Sequence, residues 1–237
     1  MLQLHSLLNG ALSLISDLPC PLCGGLGEPA APSGGLCPPC RQQLQLPVAG
    51  LQGGAPLPWW SLGWYHGGLR QVLLRQRPQP KPSLLRGLAQ QLQRALEGNE
   101  SWKQATGICG PLLVTIPSWK RHSGNPLPAA IARQLTWPCQ PLLERSRPTV
   151  GQHHLNRRLR LINQEDAFAC RQQRRSSPIW QQHRPVVLVD DILTTGATAA
   201  AAAKALRQGG WRVAGMVCLG RTPRPRASSA APWHQGQ

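Results

Sequence analysis

The chain has 237 residues, of which 41% are hydrophobic, enough to bury one good core plus an appendage, so an intrinsically disordered polypeptide is excluded. Its 26 Lys and Arg against 9 Asp and Glu give a formal charge of +17 and a pI near 11.2; such a surface repels polycations and attracts nucleic acid or phosphorylated ligands. Only four of the basic residues are lysine, so an arginine-favouring genome is a competing cause of the excess.

Residues 1–18 are moderately apolar, lack a basic start, include Asn9 and Asp17, and are too short to span a bilayer. A short amphipathic helix is expected there, with no membrane insertion and a cytoplasmic location. Cys20-Pro21-Leu22-Cys23 and Cys37-Pro38-Pro39-Cys40 follow as C-x2-C-x13-C-x2-C. Two such knuckles supply four thiolates with tetrahedral spacing, and the Gly/Pro-rich segment between them has no core of its own, so a structural Zn2+ is expected to fold a small zinc-ribbon-like module. Two disulfides are the alternative, which export would favour. Cys109, Cys139, Cys170 and Cys218 share no spacing and read as small buried residues.

Composition divides the chain into an N-terminal helix and four-cysteine zinc module at 1–49, a Gly/Pro-rich linker at 50–58, a main domain at 59–222, and a disordered tail at 223–237 rich in Pro, Arg, Ser and Ala. Trp59 opens an aromatic-rich stretch. Leu84 to Leu96 has apolar residues at helical spacing, Leu112 to Ile116 is a short apolar strand stopped by Pro117, and a further helix begins at Pro128 to Leu135. Val186 to Val189, Thr198 to Gln208 and Val213 to Leu219 complete a βαβ unit, with Gly209-Gly210 ending the helix. Strands alternating with helices imply an α/β fold with a mostly parallel sheet flanked by helices.

Val186-Val187-Leu188-Val189-Asp190-Asp191-Ile192-Leu193-Thr194-Thr195-Gly196-Ala197-Thr198 places two acids and a small, hydroxyl-rich turn between that strand and its helix. A helix N-terminus presents unbonded N–H groups and the positive end of the dipole, which suits a monophosphate. Gly196 allows close approach of the backbone, and Thr194, Thr195 and Thr198 add hydroxyl donors. The carboxylates repel phosphate, so they face the neutral part of a ligand, where a ribose offers paired hydroxyls. Ribose 5-phosphate fits the spacing. An ordinary parallel strand ending in a capped helix is the bland alternative, and a phospho-acceptor domain needs more strands than the one remaining βα step allows.

This segment resembles the phosphoribosyl pyrophosphate (PRPP) motif of type I phosphoribosyltransferases. Together with the cysteine knuckles, with Leu143-Glu144-Arg145-Ser146-Arg147-Pro148-Thr149 followed by Gln152, Leu155, Arg160, Asn163 and Ala167-Phe168, and with Tyr65, Gly67 and Leu69-Arg70, it makes the chain similar to the ComF family of bacterial competence-associated proteins. The resemblance implies a type I phosphoribosyltransferase-like fold and a Mg2+-dependent transfer of a phosphoribosyl group from PRPP to an unknown nitrogen acceptor, in a setting of DNA uptake. It implies that Asp190 and Asp191 hold the ribose hydroxyls directly or through Mg2+, that Thr194, Thr195, Gly196, Ala197 and Thr198 hold the 5-phosphate, and that Ser118, Trp119, Lys120 and Arg121 serve the pyrophosphate side. A solvated basic turn is the competing account of Lys120 and Arg121.

Three elements depart from the family pattern. Arg77-Pro78 stands where the family has a lysine followed by an aromatic, Thr115-Ile116-Pro117 stands for its Pro-Val-Pro strand end, and Ser123-Gly124-Asn125-Pro126 shortens the segment that follows. From Arg145 to Arg184 there are nine arginines and only two acids, Glu165 and Asp166, with Trp180 and His183 close to Arg174 and Arg175. That run suits a phosphate-closing loop, or a single-stranded nucleic-acid track with an aromatic for stacking. The alternative function is a non-catalytic protein of the same fold that binds single-stranded DNA during natural transformation, with the DNA-uptake machinery as partner. His153-His154 is no metal site, since adjacent residues diverge and no third ligand accompanies them.

Overall fold

The computed structural model describes residues 19–25, 35–118, 124–146, 167–172 and 174–223. The expected helix within 1–18, the tail beyond Pro223, Trp119 to Arg121, His153-His154, and Arg147 to Asn163 of the family pattern lie outside the described residues.

The elements in chain order are α1 (Pro38–Gln43), β1 (Leu51–Gly53), β2 (Trp59–Trp64), α2 (Gly67–Gln76), α3 (Pro82–Glu97), α4 (Glu100–Thr106), β3 (Leu112–Thr115), α5 (Leu127–Ala132), β4 (Leu143–Arg145), β5 (Phe168–Cys170), α6 (Ile179–Gln182), β6 (Val186–Val189), β7 (Ile192–Leu193), α7 (Ala197–Gln208) and β8 (Val213–Arg221). The main sheet runs β1-β2-β8-β6-β3, with β7 alongside β8. Every pairing in it is parallel except that of β1 with β2. The expectation of a mixed α/β chain with a mostly parallel sheet holds. β4 and β5 form a separate antiparallel pair.

The uninterrupted apolar character of Val186–Val189 follows from burial on both faces, as parallel strands under helices require. Side chains alternate: Leu113, Val187, Val189, Val217 and Leu219 enter one core cluster, and Leu112, Val114, Val186, Leu188, Met216 and Cys218 the other. On the first face pack α2, α3 and the cysteine segment, through Leu69, Leu73, Leu88, Leu92, Cys37, Cys40 and Leu44. On the second lies the alanine-rich α7, whose Ala199, Ala202 and Ala203 let it approach the sheet closely, with Phe168 of β5 beside it.

Two features differ from expectation. Gly50–Pro58, read as a linker, carries the edge strand β1, with Gln52 paired to Trp60; glycine and proline there serve a tight reversal between paired strands. Of the cysteines read as buried, only Cys218 is buried; Cys109 and Cys139 are exposed and Cys170 is half-buried, because the first two sit in connections outside the sheet strands. Among the described residues, no helix is long and apolar enough to cross a membrane.

Candidate functional site

β6 delivers Asp190 and Asp191 to the C-terminal edge of the sheet, the edge at which open parallel sheets bind ligands. Asp191 is buried and accepts a hydrogen bond from Arg77 Nε at 2.8 Å. Arg77 follows the last residue of α2, 114 positions earlier in the chain, and its side chain remains 40% exposed. Asp190 Oδ1 accepts the backbone N–H of Asp191 at 2.8 Å. Desolvation and the adjacent Asp191 carboxylate push the Asp190 carboxyl well above the usual carboxylate range, against the pull of the Asp191 N–H and of Arg77.

After the acids, Ile192 and Leu193 pair with Gly220 and Arg221 of β8, which fixes the start of the turn. Arg221 is 2% exposed and donates Nη1 to the carbonyls of Leu193, at 2.9 Å, and of Thr194. Its guanidinium also lies 5.3 Å from the Trp59 ring centre, within cation–π range. Thr194 and Thr195 are exposed, while Gly196 is buried with φ +83°. A Cβ at Gly196 would lie 2.5 Å from Pro56 Cδ, so this position needs glycine on two counts. Ala197 opens α7 and donates its N–H to Thr195 Oγ1 at 3.3 Å; no acid lies in the first turn of the helix. Thr194, Thr195, Gly196, Ala197 and Thr198 thus form one cap directly beyond the acid pair. The cap offers hydroxyls and N–H groups to an anion, and the acids offer acceptors to hydroxyls.

β4 brings Arg145 to the same edge. Its Nε donates to the Pro117 carbonyl, just past β3, at 3.0 Å, and its guanidinium lies 4.7 Å from the Phe168 ring centre. Burial lowers the pKa of Arg145, and the proximity of Asp190 opposes that shift. Ser118, at the end of the same β3 connection, is half-buried. The role of Arg221 escaped the sequence reading, which ended its strand at Leu219; an arginine closing an apolar run beside the motif strand is the signal that marks it. Arg77 stood out only as a departure, since nothing local to it points to Asp191.

Cys20, Cys23, Cys37 and Cys40 meet in a separate cluster whose four Sγ atoms all lie within 4.8 Å of one another. The Sγ atoms of Cys23 and Cys37 approach to 3.7 Å, and all four are free thiols. Cys20 Sγ also accepts the Cys37 N–H at 3.4 Å. Burial pushes the Cys20 thiol up, but N–H groups of Cys37, Cys23 and Leu22 outweigh it and hold its pKa down to about 6. A soft, closed four-sulfur set can hold zinc, with no open position for catalysis.

The architecture defines an α/β protein with an acid-and-hydroxyl turn at the edge of a mostly parallel sheet and a four-cysteine cluster packed on the same core. The chain is 30% identical over 220 residues to DNA utilization protein YhgH of Salmonella typhi, across 86% of this chain and 84% of that protein. It is 30% identical over 218 residues to the Salmonella typhimurium LT2 protein of the same name, across 85% and 84%, and 33% identical over 133 residues to that of Escherichia coli K12, across 51% and 54%. The chain belongs to the family of DNA utilization protein YhgH. No protein-family profile matches it.

Proposed function

We propose that this chain is a PRPP-binding, phosphoribosyltransferase-like protein of the ComF type, working in the use or uptake of DNA. One observation carries the reading: an acid pair, with Asp191 buried and Asp190 half-buried, and a hydroxyl- and glycine-built helix cap succeed each other on the edge of one parallel strand. Asp190 and Asp191 would accept from the ribose hydroxyls. Thr194 to Thr198 would donate to the 5-phosphate, with the buried charge of Arg221 beneath them raising the local potential. In transfer, a nitrogen acceptor attacks C1 of the ribose, the bond from C1 to the diphosphate oxygen breaks with its electron pair leaving on diphosphate, and the acceptor sheds a proton. The protein's part is to position the two reactants and neutralise charge, with Ser118, Trp119, Lys120 and Arg121 on the diphosphate side. The names of the relatives support the DNA setting.

The donor sets differ in how well they suit the two expected metals. Four clustered thiols suit zinc. Magnesium at the acid pair matches poorly: Arg77 already sits on Asp191 Oδ2 and an N–H on Asp190 Oδ1, which leaves the protein one oxygen from each acid and a cation already in place beside them.

The reading predicts that PRPP raises the Tm of the wild type and that Asp191→Asn weakens binding by about tenfold or more, the scale of a lost hydrogen bond to a charged acceptor. Differential scanning fluorimetry checks this, and equal shifts for both proteins would sink it. A PRPP-dependent diphosphate-release assay against bases, amines and DNA then tests turnover and names the acceptor.

A second reading, single-stranded DNA binding without turnover, is favoured by Trp180. It is 49% exposed on α6, beside Ile179 at 73%, with exposed Arg174 and Arg175 before it. This short helix precedes β6, so it lies at the edge opposite the acid turn. An exposed indole among arginines can stack on a base while the guanidiniums track the backbone. Labelled oligothymidylate is expected to bind at low salt, to dissociate steeply as salt rises, and to bind roughly tenfold more weakly to Trp180→Ala. Retention independent of salt, or unchanged in the variant, would remove this surface.

A further inference from the structure

We propose that Arg77 is the resident cation of the ribose-phosphate site, taking the place beside the acid pair that a divalent metal would otherwise fill, so that a diphosphorylated ribose binds this chain without magnesium. The proposal rests on the PRPP reading above.

Three observations carry it. First, Arg77 Nε donates to Asp191 Oδ2 at 2.8 Å, so the positive charge is seated on the acid that the motif assigns to the ribose. Second, only one edge of the guanidinium is used. Among the described residues its terminal nitrogens make no hydrogen bond, and the side chain is 40% exposed. A planar guanidinium can hold a carboxylate by one edge and donate to a phosphate by the other, which a lysine ammonium cannot do in a fixed plane. Third, the arrangement is built into the fold. α2 ends at Gln76, whose Oε1 accepts the Lys81 N–H at 2.7 Å, which closes the loop behind Arg77 and directs it toward the β6 edge.

A magnesium ion at Asp191 Oδ2 would have to displace this guanidinium from a buried carboxylate. For a diphosphate to arrive, nothing needs to leave. The terminal nitrogens then donate to anionic oxygens while Nε stays on Asp191, and the net charge beside the acids falls without a metal. The ligand class follows: a ribose bearing an anionic group near the hydroxyls as well as a 5-phosphate. Ribose 5-phosphate, which lacks the first group, gains nothing from Arg77.

The test is isothermal titration of PRPP into the full chain, in buffer freed of magnesium over a chelating resin and again with excess magnesium. Soluble chelators are avoided because they would strip the cysteine site. The expected result is affinities within about threefold of each other, and a loss of about tenfold or more for Arg77→Gln in the magnesium-free arm. Ribose 5-phosphate is expected to bind wild type and Arg77→Gln alike. Arg75→Gln, in the last turn of the same helix and exposed, removes an equal charge and is expected to leave PRPP binding unchanged.

Wild-type binding seen only with magnesium overturns the proposal and leaves the PRPP reading standing, and this arm needs no variant to fold. Equal losses for Arg75→Gln and Arg77→Gln also overturn it, since general charge would then explain them. No PRPP binding in either buffer overturns the reading itself.

Discussion

Replacing Cys40 with serine is expected to strip the chain of zinc and to lower its Tm by roughly 10–20 °C, the consequence of losing about 5 kcal/mol of metal-binding energy in a chain of this size. Cys40 is 3% exposed and belongs to the same apolar cluster as Leu36, Leu44, Leu69 and Leu73, so the cysteine segment and the sheet share one core. Three remaining thiols leave an incomplete tetrahedron. Elemental analysis of the purified wild type should find one zinc per chain, and Cys40→Ser close to none. Cys139→Ser, at an exposed cysteine outside the cluster, should keep both metal and Tm. Full zinc content in Cys40→Ser would remove the metal centre.

Arg221→Met is the second large effect. The arginine is 2% exposed and holds two consecutive carbonyls, those of Leu193 and Thr194, with one terminal nitrogen. Methionine keeps much of the volume against Trp59 but leaves both carbonyls without their charged donor, a cost of about 3 kcal/mol. For a chain of this length that is a fall of roughly 6–12 °C in Tm, measurable by thermal scanning. The loss should be larger for ligand binding than global stability alone implies, because those carbonyls belong to the turn that caps α7. If Arg221→Met melted with the wild type, the turn would not depend on this residue.

The strand, its two acids and the cap were legible because each is specified locally: four apolar residues buried on both faces, then residues whose small size and hydroxyls suit a helix start. The helix around Leu84 to Leu96 was legible for the same reason, since its period of apolar residues matches the face it buries. What lay hidden depends on distance along the chain. The ion pair of Arg77 with Asp191 joins residues whose own neighbourhoods announce nothing of it. Arg221 acts through carbonyls, which every residue has, so its target leaves no mark in the sequence. Strand β1 was masked by glycine and proline, and the exposure of Cys109 and Cys139 by the general rule that a free cysteine is buried.

Helix α2 joins the two centres of the molecule. At its start the chain passes so close to α1 that a Cβ on Gly68 would lie 3.1 Å from the Gln43 carbonyl oxygen. Leu69 and Leu73 press into the cluster that contains Cys37 and Cys40, and past its last residue stands Arg77 on Asp191. Ten residues of helix, about 15 Å long, thus begin against the segment that follows the second cysteine knuckle and lead to an arginine seated on the buried acid. Were the seating of the cysteine segment altered, a helix moving as one body would carry the guanidinium with it.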